Sequence, residues 1–248
     1  MGRLRLASYN VHRGIGRDRR CDPARILGVL RELDADVIAL QEVEAHDSGG
    51  DMLEWLGKEI GYHAIAGTTL KRHDGHYGNG MLTRCPVVEK SLCDLSWRRR
   101  EPRGAIAADV DCEGQTLRVV ATHLGLRPAE RREQVERLLR LFSWKEGDRA
   151  VLMGDLNEWF LWGRPLRRLH RYFEQTPAVA TFPARFPVFA LDRLWTHPGS
   201  LLSGLAAHDS ALARVASDHL PLSFGEAPTR SYNLPVGPLA QLVRAGDS

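Results

Sequence analysis

A chain of 248 residues has room for one large domain or two small ones, and its 43% hydrophobic and 26% charged content is ordinary for a folded globular protein. The net charge of +3 and the pI near 8.8 suit a phosphate-bearing or polyanionic partner but decide nothing alone. No run approaches the roughly 18–20 apolar residues needed to span a bilayer, and Met1 to Asn10 has no apolar stretch of signal-peptide length, so any membrane contact is expected to be peripheral.

Arg5 to Val11 reads as a short buried strand. Asp22-Pro23 then offers an N-cap and a first-turn proline, and Ile26, Val29, Leu30 and Leu33 recur at helical spacing. Asp36 to Leu40 is a second apolar strand, ending on Gln41-Glu42, so the chain opens with a strand, a helix and a strand. Asp51 to Ile60 reads as helix, and Tyr62 to Ala66 and Gly80 to Thr83 as strands. Ala105 to Val110 and Leu117 to Thr122 form a hairpin around Gly114, and the second strand stops at His123. Pro128 to Phe142 shows the clearest helical pattern, with Val135, Leu138, Leu139 and Phe142 on one face. Ala150 to Met153 is another buried strand, ending in Gly154-Asp155-Leu156-Asn157, and Leu191 to Thr196 carries Asp192 on a further strand.

Residues 1–226 are expected to form one domain, since no internal repeat or linker interrupts them. Residues 227–248, with weak periodicity and several prolines, are expected to pack poorly. Their ending resembles peptides made when a transfer-RNA gene is translated, so no function is placed there. Cys21, Cys85, Cys93 and Cys112 have no C-x-x-C or Cys/His ligand spacing, and read as isolated thiols in a cytoplasmic protein.

The informative pattern is positional. Asn10, Glu42, His123, Asp155 with Asn157, and Asp218 with His219 all stand at or just beyond strand ends, where a packed core holds side chains rigidly toward one cleft. Oxygen donors from Glu42, Asp155, Asn157 and Asp218 suit a hard cation such as Mg²⁺. Taken singly, each motif is equally an ordinary turn or a solvated loop acid; the ordered set carries the argument.

That set, Ser8-Tyr-Asn10-Val-His12, Ala39-Leu-Gln-Glu42, Gly78-Asn79-Gly80-Met-Leu-Thr-Arg84, Ala121-Thr-His123-Leu, Gly154-Asp155-Leu-Asn157 and Ser217-Asp218-His219-Leu-Pro, resembles the endonuclease/exonuclease/phosphatase superfamily across about residues 4–224. The resemblance implies a DNase I-like α/β (α+β) fold: a four-layer sandwich of two packed mixed β-sheets flanked by helices. It implies a phosphoesterase that uses Mg²⁺, with Mn²⁺ as a substitute. In that reading Glu42, Asn10 and Asp218 are metal ligands, and Asp155 orients or deprotonates the attacking water. Asn157 accompanies Asp155 on the phosphate, and His219, charged by Asp192, stands beside it. His123 donates to a phosphate oxygen, and Asn79 lines the cleft.

The superfamily's breadth leaves the substrate open. The Gly78–Arg84 motif is closer to sphingomyelinase-like and DNase-like members than to abasic-site repair enzymes. Trp159 to Trp162, followed by Arg164, Arg167 and Arg168, reads as core, as a lipid-facing segment or as a base-stacking one. Arg103, closing the basic stretch from Trp97, is a candidate phosphate contact. The leading expectation is a monomeric phosphodiesterase acting on a small or lipid-borne diester. The alternatives are a DNA or RNA nuclease and, from another class, an inactive binding module.

Overall fold

The computed structural model describes residues 4–46, 50–73, 75–142, 147–201 and 204–225; the expected C-terminal tail lies outside them. Two mixed sheets pack face to face. The first is built from β1 (Leu6–Asn10), β2 (Val37–His46), β3 (Gly50–Asp51), β4 (His63–Arg72), β5 (Gly75–Thr83), β11 (Ala206–Ala207) and β12 (Leu222–Phe224). Their order is β11-β12-β1-β2-β5-β4, with β3 paired to β2. The second contains β6 (Val87–Asp94), β7 (Gly104–Cys112), β8 (Gln115–His123), β9 (Ala150–Asp155) and β10 (Asp192–His197), in the order β10-β9-β8-β7-β6.

The strands' residue alternation decides the layers. Leu6, Val37, Ala39, Val119, Val151 and Met153 point into the space between the sheets and form the central core. Their neighbours Ala7, Ile38, Val120 and Leu152 point outward, and two further cores cover them. Helices α1 (Pro23–Leu33), α2 (Met52–Ile60) and α5 (Ala213–Ala216) lie on the first sheet, and α3 (Pro128–Leu139) and α4 (Arg164–Tyr172) on the second. Because both faces of each sheet are covered, the central strands read as continuous apolar runs. The four-layer sandwich expected from the motifs is the fold observed.

Helix α1 starts where the sequence placed it, with the Asp22 side chain accepting from Ala24 N at 3.1 Å and proline in the first turn. Four elements differ from expectation for physical reasons. Strand β6 is an exposed edge strand, so no buried face marks it in the sequence. Strands β4 and β5 run well past their apolar cores, staying paired through Gly67, Gly78 and Asn79, which leave no apolar run in the sequence. Helix α4 buries only Pro165, Leu166 and Leu169 among arginines, too few apolar positions to show a period. The cysteines also differ: Cys85 and Cys112 are not isolated but lie with their sulfurs 3.1 Å apart, one beyond β5 and one ending β7.

Among the described residues each sheet holds one parallel pair, β1 beside β2 and β8 beside β9, and the other pairings are antiparallel. The register sets Asn10 beside Gln41 and His123 beside Asp155, so both parallel pairs end on the site residues. A buried ion pair then fastens the loops beyond those ends. Arg131 of α3 binds Glu158 at 3.1 Å, each side chain 3% exposed, and also donates to Leu126 O at 2.7 Å. Replacing Arg131 with Met strands the Glu158 carboxylate, and should destabilise the fold by about 3–5 kcal/mol, read as a lower urea midpoint. A midpoint unchanged from wild type would show that the pair contributes nothing.

Candidate active site

A cleft of about 340 Å³ opens at the ends of the parallel pairs, lined by Asn10, Glu42, Arg103, His123, Asp155, Asn157 and His219 among others. Seven residues selected from sequence thus share one cavity.

Glu42 reaches it through a local irregularity. The β2–β5 register shifts between Leu40 and Val43, and Glu42 sits at φ 58°, a conformation that costs a non-glycine residue about 1–3 kcal/mol. The bulge turns Glu42 out of the strand alternation and into the cleft. Burial raises its pKa, and the charges of Asp218 and Asp155 add to that, against the hydrogen bond from Asn10 and the pull of His12.

Asp155 is 1% exposed at the end of β9. Its approach depends on Gly154, where a Cβ would stand 1.9 Å from Thr122 O of the neighbouring strand. Asp155 Oδ1 accepts from Asn157 N at 2.9 Å, with Asn157 itself at φ 51°. Asp155 Oδ2 accepts from Asn10 Nδ2 at 3.1 Å, and the same amide donates to Glu42 Oε1 at 3.2 Å. Asn10 therefore bridges the two carboxylates. Its own carbonyl faces away and accepts from His12 N at 3.1 Å. That backbone N–H can only donate, so it fixes the amide's orientation.

His219 and Asp192 form the second unit. His219 Nδ1 donates to Asp192 Oδ2 at 2.8 Å, and Asp192, fully buried, also accepts from Thr181 Oγ1 at 2.5 Å. Burial works against a charged imidazole, but the Asp192 charge and hydrogen bond, with Asp155 and Asp218, outweigh it and raise the ring's pKa to about 10. Nε2 of the charged ring lies 3.9 Å from Asp155 Oδ2.

His123 is the opposite case. Arg103 Nη1 can only donate, and it meets His123 Nδ1 at 3.0 Å; His123 Nε2 lies 2.9 Å from the Asn157 amide and 3.5 Å from Asp155 Oδ2. Burial beside the Arg103 cation pushes the ring down to about 3. With Nδ1 accepting from Arg103, the neutral ring carries its proton on Nε2 and holds Arg103 in place. Between its ordinary value of 6.5 and about 3, the unfolded ring takes up a proton that the folded one refuses. Stability should thus fall with pH across that window. Urea midpoints should drop more steeply below pH 6.5 in wild type than in His123→Gln; parallel slopes would show a ring that is charged in the fold.

Three other expected positions move. Asn79 is buried and does not line the main cleft; its amide donates to Gly104 O at 2.8 Å, anchoring the start of β7 next to Arg103. Asp218 is outside the lining, its side chain 39% exposed and 3.6 Å from His12 Nδ1. Asn157 lines the cleft, but its amide donates to Leu124 O at 3.0 Å rather than projecting freely toward a phosphate. Arg103 is 7% exposed on the cleft wall, 3.4 Å from Glu101, and its buried Nε has no hydrogen-bond partner. A buried guanidinium with a spare donor suits an anionic ligand.

Sequence reading missed Arg13, Tyr77, Glu101, Leu126 and Phe182, which line the cleft together with Trp159 and Leu191. They lie on loops, in the 3₁₀ turn after Asn10 or on the polar half of β5, where a search for strand ends finds nothing.

The donor chemistry separates two candidate places for a metal. Asp155, Asp192 and His219 bring ligand atoms within 4.8 Å of one another. The His219 ring, however, donates Nδ1–H to Asp192, so two of these three groups already engage each other. Glu42 and Asp155 are oxygen donors converging on one cleft with only the neutral Asn10 amide between them, and that set fits a hard divalent cation.

Residues 7–219 match the family model described as the Endonuclease/Exonuclease/phosphatase family. The chain is 30% identical over 243 residues to the Uncharacterized protein YbhP of Escherichia coli (strain K12), covering 89% of this chain and 94% of that one. An endonuclease/exonuclease/phosphatase from Beutenbergia cavernae superposes with a TM-score of 0.73 at 24% identity, covering 92% of this chain and 73% of the other. D. rerio TDP2, complexed with single strand DNA product, superposes with a TM-score of 0.64 at 19% identity, covering 90% and 98%.

Proposed function

Because the chain belongs to the endonuclease/exonuclease/phosphatase family, whose members are hydrolases acting on phosphoester bonds, we propose that it is a divalent-metal-dependent phosphodiesterase. The observation that carries this reading is the convergence, in one cleft, of the Glu42–Asn10–Asp155 carboxylate pair, the charged Asp192–His219 pair and the buried Arg103. The leading substrate is a small or lipid-borne phosphodiester.

Glu42 and Asp155 would hold Mg²⁺, which when bound supplies positive charge to the phosphate and the leaving oxygen. The chain's own groups account for the rest. His219 is protonated at neutral pH and so cannot take a proton from water; its Nε2–H is a donor for a non-bridging phosphate oxygen. Asp155, at the floor of the cleft and 3.9 Å from that nitrogen, is the group left to accept the water's proton. Arg103, steadied by His123 and Glu101, supplies a second positive contact to the phosphate. Asn10 holds the two carboxylates at a fixed separation.

The test is hydrolysis of the soluble diester bis(4-nitrophenyl) phosphate. Activity should disappear with EDTA and return with Mg²⁺ or Mn²⁺; EDTA-resistant hydrolysis refutes the metal role. A second reading, nuclease action, draws on the flat rings of Trp159 and Phe182 on the cleft wall, which could stack a base, and on the similarity to TDP2 bound to single strand DNA product. Running single-stranded DNA, RNA and glycerophosphodiester substrates side by side decides between the two.

A further inference from the structure

Large apolar side chains are not scattered over this surface. Of the twelve that stand exposed among the described residues, eight lie on three loops around the mouth of the cleft. These loops follow β8, follow β9 and precede β10. Leu126 is 62% exposed, Phe160 and Leu161 56%, Trp162 69%, and Phe186 and Val188 67%. The expectation that left Trp159 to Trp162 open between core and surface is resolved toward the surface.

The display is built. Glu158, locked to Arg131, accepts from Phe160 N at 3.2 Å, and Gly163 N closes the turn on Phe160 O at 3.0 Å. A Cβ on Gly163 would stand 2.4 Å from the Glu158 carboxyl carbon, so the turn needs glycine there. Trp159 packs edge-on against Phe189 at 4.8 Å and Phe182 at 5.9 Å, joining two of the loops. Phe160 and Trp162 lie 5.7 Å apart beyond them, free of the core.

Charge adjoins this patch. Helix α4 starts one residue after Gly163 and carries Arg164, Arg167, Arg168 and Arg171 with no acid. Arg168 pairs with Glu136 at 2.9 Å; Arg164, Arg167 and Arg171 have no ion pair among the described residues. With Arg132 they line a groove of about 560 Å³ between α3 and α4, whose acids Glu133 and Glu136 are themselves engaged by Arg137 and Arg168.

We propose that this rim is a docking surface for an anionic lipid bilayer. Phe160, Leu161 and Trp162 enter the boundary between headgroups and acyl chains, and the α4 arginines meet lipid phosphates. Aromatic rings next to arginine also suit nucleic acid. Leu126, Leu161 and Val188, however, have no flat face to stack on a base and gain only from an apolar medium. The docked cleft faces the headgroup layer, so the substrate class is a lipid headgroup phosphodiester; this last step rests on the phosphodiesterase reading.

The experiment is co-sedimentation of the full chain, in EDTA to prevent turnover, with vesicles of phosphatidylcholine alone or mixed with phosphatidylglycerol. Hydrolysis of bis(4-nitrophenyl) phosphate with Mg²⁺ is measured in parallel. The wild type should prefer the anionic vesicles by about tenfold or more. Phe160→Ser/Trp162→Ser should lose about tenfold or more of vesicle binding. Arg164→Gln/Arg167→Gln/Arg171→Gln should lose the anionic preference. Both variants should keep soluble-diester hydrolysis within about twofold, since none of these side chains lines the cleft. Absent wild-type vesicle binding, or variants that bind like wild type, overturns the proposal. So does salt-sensitive binding of a single-stranded oligonucleotide that needs Phe160 and Trp162 while vesicles are ignored. Vesicle binding without any diester hydrolysis supports the surface and defeats the catalytic reading instead.

Discussion

Asp155→Asn should lower kcat on a soluble phosphodiester by about a thousandfold, the scale of a lost general base, with little change in KM. The substitution keeps the side chain's shape, and the amide oxygen can still accept from Asn157 N, so the loop after β9 should keep its course. What is lost is the basic oxygen that faces Asn10, His123 and His219. Asp155→Ala should lose as much activity and more stability, because Asn157 N then loses its acceptor and Asn10 Nδ2 keeps only Glu42. Far-ultraviolet circular dichroism and the urea midpoint separate the two effects. An Asp155→Asn protein within tenfold of wild type would assign the water's proton elsewhere.

Disrupting the Asp192–His219 pair gives the second large effect. His219→Gln should cost about 10²–10³ in kcat, as for removal of a donor to developing negative charge. Asp192→Asn leaves the ring in place but removes the charge that holds it protonated, and its signature is in the pH profile. With the ring held to about 10 in the wild type, donation from Nε2 should persist across pH 7–9. In Asp192→Asn the ring returns toward its ordinary 6.5, and activity should already fall as pH rises through neutrality. Linkage gives the same sign for stability: because the folded ring's pKa is raised, its contribution is complete below 6.5 and disappears as pH rises through about 10. An Asp192→Asn profile that parallels wild type would show that the carboxylate orients the ring without charging it.

How far the sequence carried these conclusions depended on where each residue sits. Asp155, His123 and Asn10 end buried strands, and buried strands announce themselves as apolar runs, so their positions were legible. Glu42 was legible as a residue past Leu40, but not as a left-handed residue at a bulge, because a register shift leaves no mark in the amino-acid pattern. The layered fold followed from the joint order of the motifs. Strand β6 and helix α4 were missed because one is an exposed edge and the other buries almost nothing.

Roles were less legible than positions. Motifs name residue types, whereas the hydrogen-bond partner decides what a polar group can do. The N–H of His12 turns the Asn10 carbonyl away, Arg103 makes His123 an acceptor, and Gly104 takes up Asn79. Each partner is distant in the chain or is a backbone group that any residue supplies. The exposure of Trp162 was likewise undecidable from composition, since the Arg131–Glu158 pair and Gly163 that hold its loop open read as ordinary surface residues.

The central claim is hydrolysis at phosphorus by water activated in the Glu42–Asp155–His219 cleft. The direct measurement is hydrolysis of a phosphodiester by the Mg²⁺-supplemented protein in ¹⁸O-labelled water, with Asp155→Asn run alongside. The account predicts that wild type places the label on the phosphorus-bearing product and none on the released alcohol, while Asp155→Asn forms almost no product. Label on the alcohol, or equal product from the two proteins, would contradict it.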